Sequence, residues 1–198
     1  MSGRWIWNEK QQFARQLARN LCIEMEKLPE GNFGKLFLLT MDDGKKVIAR
    51  LPNPNAWPAH YATASEVAIM EFVWSFFTFL HGIFSTPPTQ RIQTWNSFTD
   101  NEAGAEYIIM ERSRGIQLSK VWETLKGPEK LEIVNQIAGF KRSMVSATHF
   151  SLYGILYFAK DLPNISASQH VELPPTKQTG HPGFVIGCTT NRPFFDDG

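Results

Sequence analysis

Two cysteines in 198 residues, Cys22 and Cys188, stand far apart. That scarcity argues against a disulfide framework or a zinc site, and makes a reducing compartment the expected setting. The chain also lacks a charge excess: 20 Lys and Arg against 19 Asp and Glu leave +1. With no dominant basic patch, a nucleic-acid partner is not expected. No internal repeat is visible. The first residues have no apolar core, so no secretory signal is expected. Formal charge is missing from Phe72 to Gln90, a length that could span a bilayer. Glu71 opens this run, however, Ser75, Thr78 and His81 interrupt it, and Pro87-Pro88 close it. A buried helix is expected there rather than a membrane span.

What is present is ordinary globular composition, 42% hydrophobic and 20% charged, in a chain long enough for one domain with a real core or somewhat more. From Met1 to Leu21, Arg4, Lys10, Arg15 and Arg19 oppose only Glu9, and Phe13, Leu17 and Leu21 fall at helical spacing. A surface helix is expected there; a mitochondrial address is the alternative.

The segment from Leu28 to Glu66 organises the rest. Ile23 to Leu28 reads as a strand leading into Gly31-Asn32-Phe33-Gly34. Lys35 to Met41 and Lys46 to Leu51 are strands around Asp43-Gly44, a strong hairpin signal. Pro52, Pro54 and Pro58 then make a loop. Thr63 and Glu66 have capping-box spacing, with Thr63 as the expected N-cap, and Val67, Met70, Trp74 and Phe77 mark one face of a long helix. Thr89 to Asn96 and Ala105 to Met110 read as two more strands. Glu111 to Gly115 is a polar connector, Leu118 to Leu125 a short helix, and Gly127-Pro128-Glu129 opens a longer one with Ile133, Ile137, Phe140 and Met144 on its inner face. Beyond Phe150, Gly154 to Phe158 and Phe184 to Ile186 are short strands around a loop from Pro163 to Gly183.

This order has chemical meaning. Amides at Asn32, Phe33 and Gly34 could hydrogen-bond phosphate oxygens where glycine lets the loop approach closely. Arg50 could neutralise the same phosphates, because its guanidinium stays protonated and binds in bidentate fashion. Glu66 could hold Arg50 by a charge-assisted pair. Each element also has a plainer reading: a hairpin turn, a solvated strand-end charge, and a helix cap.

The ordered set resembles the fungal branch of the aminoglycoside phosphotransferase-like family of kinase-fold proteins. The likeness is carried by Glu30-Gly31-Asn32-Phe33-Gly34, Val47-Ile48-Ala49-Arg50-Leu51-Pro52, Thr63-Ala64-Ser65-Glu66 and Gly104 through Glu111, with Tyr153-Gly154 and the tail from Phe184 to Gly198 in support. It implies an α+β fold: a kinase-like amino-terminal lobe of five antiparallel strands and a long helix at 23–112, after an amino-terminal helix at 1–22. Residues 113–198 would then be a linker and the first helices of an incomplete carboxy-terminal lobe. It implies ATP as ligand, with Gly31, Asn32, Phe33 and Gly34 as the nucleotide loop and Arg50 in the place usually held by lysine. Glu66 would be its helix partner, and Met110 and Glu111 would lie where the adenine is gripped.

Complete relatives would transfer phosphate to a small-molecule hydroxyl, using a catalytic aspartate in a His-Gly-Asp type loop and a second aspartate on magnesium. Neither aspartate is visible here. No catalytic or metal residue is therefore assigned, and phosphoryl transfer is not expected of this chain. A protein partner, or a second copy, is expected to cover the incomplete lobe. The resemblance implies a mitochondrial location; otherwise a cytoplasmic one is expected. The aromatic run from Trp74 to Phe84 departs from the family pattern and reads as an insertion, one that a retained intron would explain.

Overall fold

The computed structural model describes residues 22–29, 34–52, 60–79, 89–101, 103–147, 153–164, 170–171 and 183–189. Five strands pair antiparallel: β1 (Cys22–Lys27), β2 (Gly34–Met41), β3 (Lys46–Pro52), β4 (Ile92–Asn96) and β5 (Tyr107–Glu111), in the order β1-β2-β3-β5-β4. The Asp43-Gly44 turn joins β2 to β3 as the sequence suggests, with the Met41 amide donating to the Lys45 carbonyl at 2.8 Å. Between β3 and β4 the chain crosses the sheet as helix α1 (Tyr61–Phe79). β4 therefore arrives at the far edge and β5 returns to fill the gap beside β3, placing Arg50 opposite Ile108 and Ile48 opposite Met110.

Strand alternation divides the side chains between two cores. Phe37, Leu39, Val47, Ala49, Leu51 and Ile109 are buried together on one face. Ile108 points the other way and joins Val67, Ala68 and Phe72 of α1. That second core is completed by a smaller antiparallel sheet of β6 (Ile155–Phe158), β7 (His170–Val171) and β8 (Phe184–Gly187), in the order β6-β8-β7. Leu156, Phe158, Phe184 and Ile186 pack in the same cluster as Val67 and Phe72, so α1 lies between two sheets. The Phe72 ring meets Phe184 edge to face, at 5.6 Å between centroids.

This burial on both sides explains the charge-free aromatic helix. Phe72, Phe76 and Phe77 are core residues of α1. Among the described residues, no helix is long and apolar enough to cross a membrane. The later part of the aromatic run, residues 80–88, lies outside the described residues, as does the expected amino-terminal helix up to residue 21; Cys22 already belongs to β1.

Two expectations need correction. Thr63 does not cap α1. The helix starts at Tyr61, and the Ala64 amide donates to the His60 carbonyl at 2.9 Å, so His60 holds the N-cap position. His60 adopts a φ of 66°, rare for a residue with a side chain, and long-range bonds hold it there. Its amide donates to a Glu106 carboxylate oxygen at 2.9 Å, Nδ1 lies 2.8 Å from Ser97 Oγ, and Nε2 lies 3.1 Å from the Asp161 carbonyl oxygen. Thr63 is buried inside the first turn instead.

The second correction concerns α3 (Gly127–Ala147), which follows the short α2 (Leu118–Val121) and a single 3-10 turn (Trp122–Thr124). Its expected inner face is only partly covered. Phe140 meets Phe77 edge to face at 5.3 Å, but Ile137 is exposed, and so are Leu131, Val134 and Val145 beyond it.

Candidate functional site

β3 alternates, so Val47, Ala49 and Leu51 enter one core while Ile48 and Arg50 face α1. One helical turn in from the start of α1, Glu66 comes up beneath Arg50, and the two form an ion pair between Nη1 and Oε2. The guanidinium is largely covered and the carboxylate half-buried. Burial pushes the Arg50 pKa down from its ordinary value, yet arginine remains charged at any physiological pH. The pair thus fixes a cation at the edge of a cleft, with guanidinium N–H groups left to donate to another partner.

That cleft has a volume of about 590 Å³, within the usual range for a small-molecule site. Its apolar lining comes from Leu28, Leu36, Ile48, Met70, Met110 and Ile116. Its charged lining is Arg50, Glu66, Arg112 and Arg114, an excess of two positive charges (three guanidiniums less one carboxylate). Gln90, Ser113 and Gln117 add neutral polar groups.

Gly34 stands beside the cationic end. A Cβ built on it would lie 2.8 Å from the Leu51 carbonyl oxygen and 3.5 Å from Arg50 Nε. The backbone of β2 approaches β3 there more closely than a side chain allows, so glycine is required by space rather than by dihedral angle.

The sequence-derived residues therefore divide. Gly34, Arg50 and Glu66 are brought together, and Met110 lines the same cleft. Glu111 does not line it. Its side chain is exposed, and its amide is taken by the Arg91 carbonyl at 2.9 Å. Gly31, Asn32 and Phe33 lie outside the described residues. Sequence reasoning passed over Arg112 and Arg114 as part of a polar connector. Their signal was two arginines within three residues of a strand, two of whose residues, Met110 and Glu111, were already assigned to the site. Among the described residues, no group of three or more His, Cys, Asp or Glu side chains could hold a metal ion.

No family model matches the chain. A subtelomeric hrmA-associated cluster protein of Aspergillus fumigatus is 37% identical over 179 residues, which is 90% of this chain and 31% of that protein. "Altered inheritance of mitochondria protein 9, mitochondrial" of Yarrowia lipolytica is 28% identical over 153 residues, covering 73% of this chain and 25% of that protein. The Candida tropicalis protein of the same name is 27% identical over 176 residues, covering 83% of this chain and 26% of its own length. The chain thus spans about a third or less of the curated relatives it matches. These relatives are fungal, and the names of the last two carry the mitochondrial location expected above.

Proposed function

We propose that this chain is a nucleotide-binding module of the kinase-like, aminoglycoside phosphotransferase-like type, taking ATP in the cleft between the five-stranded sheet and α1. The observation that carries this reading is the Arg50–Glu66 pair beside Gly34 at the edge of an apolar, net-positive cleft. A planar base fits against Ile48, Met70 and Met110, and phosphates fit the guanidinium that Glu66 holds in place. Gly31, Asn32, Phe33 and Gly34 would close over them by their amides. In complete relatives this half would serve phosphoryl transfer to a small-molecule hydroxyl with magnesium. The proposal for this chain stops at binding and places no metal on its own residues.

The test is thermal melting with and without ATP. At a hundredfold excess over the dissociation constant, binding adds about 2.7 kcal/mol of stability. A clear upward shift is expected, abolished by Arg50→Ala. No shift in the parent chain would overturn the reading.

The open face of α3 favours a second, compatible role. Leu131, Val134, Ile137 and Val145 leave an apolar strip that a protein partner or a second copy would cover. A monomer at high concentration, unchanged by Val134→Glu, would remove self-association from that account.

A further inference from the structure

The two ends of the cleft differ. At one, Arg50 is engaged by Glu66. At the other, Arg112 and Arg114 follow β5, and among the described residues neither guanidinium has a hydrogen-bond or ion-pair partner. Arg50 pairs with Ile108 in the sheet register, so Arg112 begins four residues further along, roughly 13 Å at strand rise. Between the two ends lies the apolar floor of Ile48 and Met110. Ser113, between the two arginines, accepts a hydrogen bond from Gln90 Nε2 at 2.5 Å, which leaves its own hydroxyl proton free to donate into the cleft. The two cationic ends thus sit on different stretches of backbone, on either side of that floor.

We infer that Arg112, Ser113 and Arg114 form a second anion site, and that the ligand is a nucleotide carrying a further phosphate on its sugar, apart from its polyphosphate. The inference rests on the nucleotide reading and adds the ligand class. Two planar guanidinium forks and a hydroxyl donor suit a phosphate dianion better than a neutral sugar edge.

The test is calorimetric titration of the full chain with ADP and with ADP phosphorylated on the ribose 2′ or 3′ oxygen. Parent, Arg50→Ala and the double variant Arg112→Ala/Arg114→Ala would be compared. The parent is expected to bind one of the sugar-phosphorylated forms about tenfold more tightly than ADP, a gain in the range of one charge-assisted contact. The double variant should lose that preference, with affinity for the sugar-phosphorylated form falling at least about tenfold and for ADP by clearly less, and Arg50→Ala should weaken both ligands alike. Equal affinity of the parent for all forms overturns the second site. So does a double variant that loses ADP itself, because the arginines would then hold the polyphosphate. If the parent binds neither class, the nucleotide reading falls and takes this inference with it. Both arginines are exposed, and unchanged melting of the double variant would show that its fold is intact.

Discussion

Glu66 on α1 and Arg50 on β3 form an ion pair across the seam between helix and sheet. The guanidinium is largely covered and the carboxylate half-buried, so removing either leaves the other partly desolvated and unpaired. Arg50→Ala and Glu66→Ala are each expected to cost about 1–3 kcal/mol in urea unfolding. The double variant should cost less than the sum by at least about 0.5 kcal/mol. Strict additivity would show that the pair does not hold helix to strand.

Gly34→Ala tests the close approach of β2 to β3. The new methyl would press on the Leu51 carbonyl oxygen at 2.8 Å, and a backbone group in a ladder cannot swing away as a side chain can. A loss of about 1–3 kcal/mol is expected, typical of overpacking. ATP should also bind more weakly, because Arg50 Nε is the next atom the methyl meets. A variant as stable as the parent would mean that the strands part there at little cost.

What the sequence revealed, and what it hid, follows from the range of the interactions involved. The β2–β3 hairpin was legible because Asp43-Gly44 between two apolar runs is a local signal. Arg50 and Glu66 were legible because a cation near the end of one strand and an acid near the start of the next helix have few other places to meet. The cap was misread for the opposite reason: His60 owes its conformation to Glu106, Ser97 and Asp161, 46, 37 and 101 residues away, and no local pattern announces that. The packing of β6 and β8 on α1 was equally hidden. Each is a run of four residues, and only their partners show which core they join.

The His60 arrangement gives its own prediction. Glu106 is buried and accepts the amide that the strained backbone presents. Glu106→Ala removes that acceptor and should cost about 1–3 kcal/mol, the penalty for an unmet buried donor. Glu106→Gln keeps an oxygen in place and should cost clearly less. Equal losses would assign the effect to the charge of Glu106 rather than to its bond with His60.

Asp161 predicts a pH dependence. Its carboxyl is buried, Oδ2 has no hydrogen-bond partner among the described residues, and burial raises its pKa above the ordinary 3.8 against weaker opposing effects of Lys160 and His60. The folded chain therefore holds this proton at pH values where the unfolded chain has lost it. Its contribution to stability is greatest below pH 3.8 and declines as pH rises through the folded-state pKa. Asp161→Asn, neutral throughout, should melt above the parent at pH 7, by a margin that shrinks as pH falls toward 4. A margin that grows on acidification would reverse the sign and show a carboxylate stabilised by its surroundings.

α3 has few buried anchors, and its edge-to-face contact with Phe77 through Phe140 is the best defined of them. Phe77 is itself fully buried in α1, so the contact ties an otherwise exposed helix to the central core. Phe140→Ala should cost about 2 kcal/mol, below the full-core value because Phe140 is only half-buried. The loss should be local. Hydrogen exchange should speed up across α3 while amides of β2, β3 and β5 keep their protection, since none of those strands relies on α3 for burial. Uniform loss of protection across both would show that α3 unfolds with the sheet as one cooperative unit, and that its exposed apolar strip is held in place by the same core that shapes the cleft.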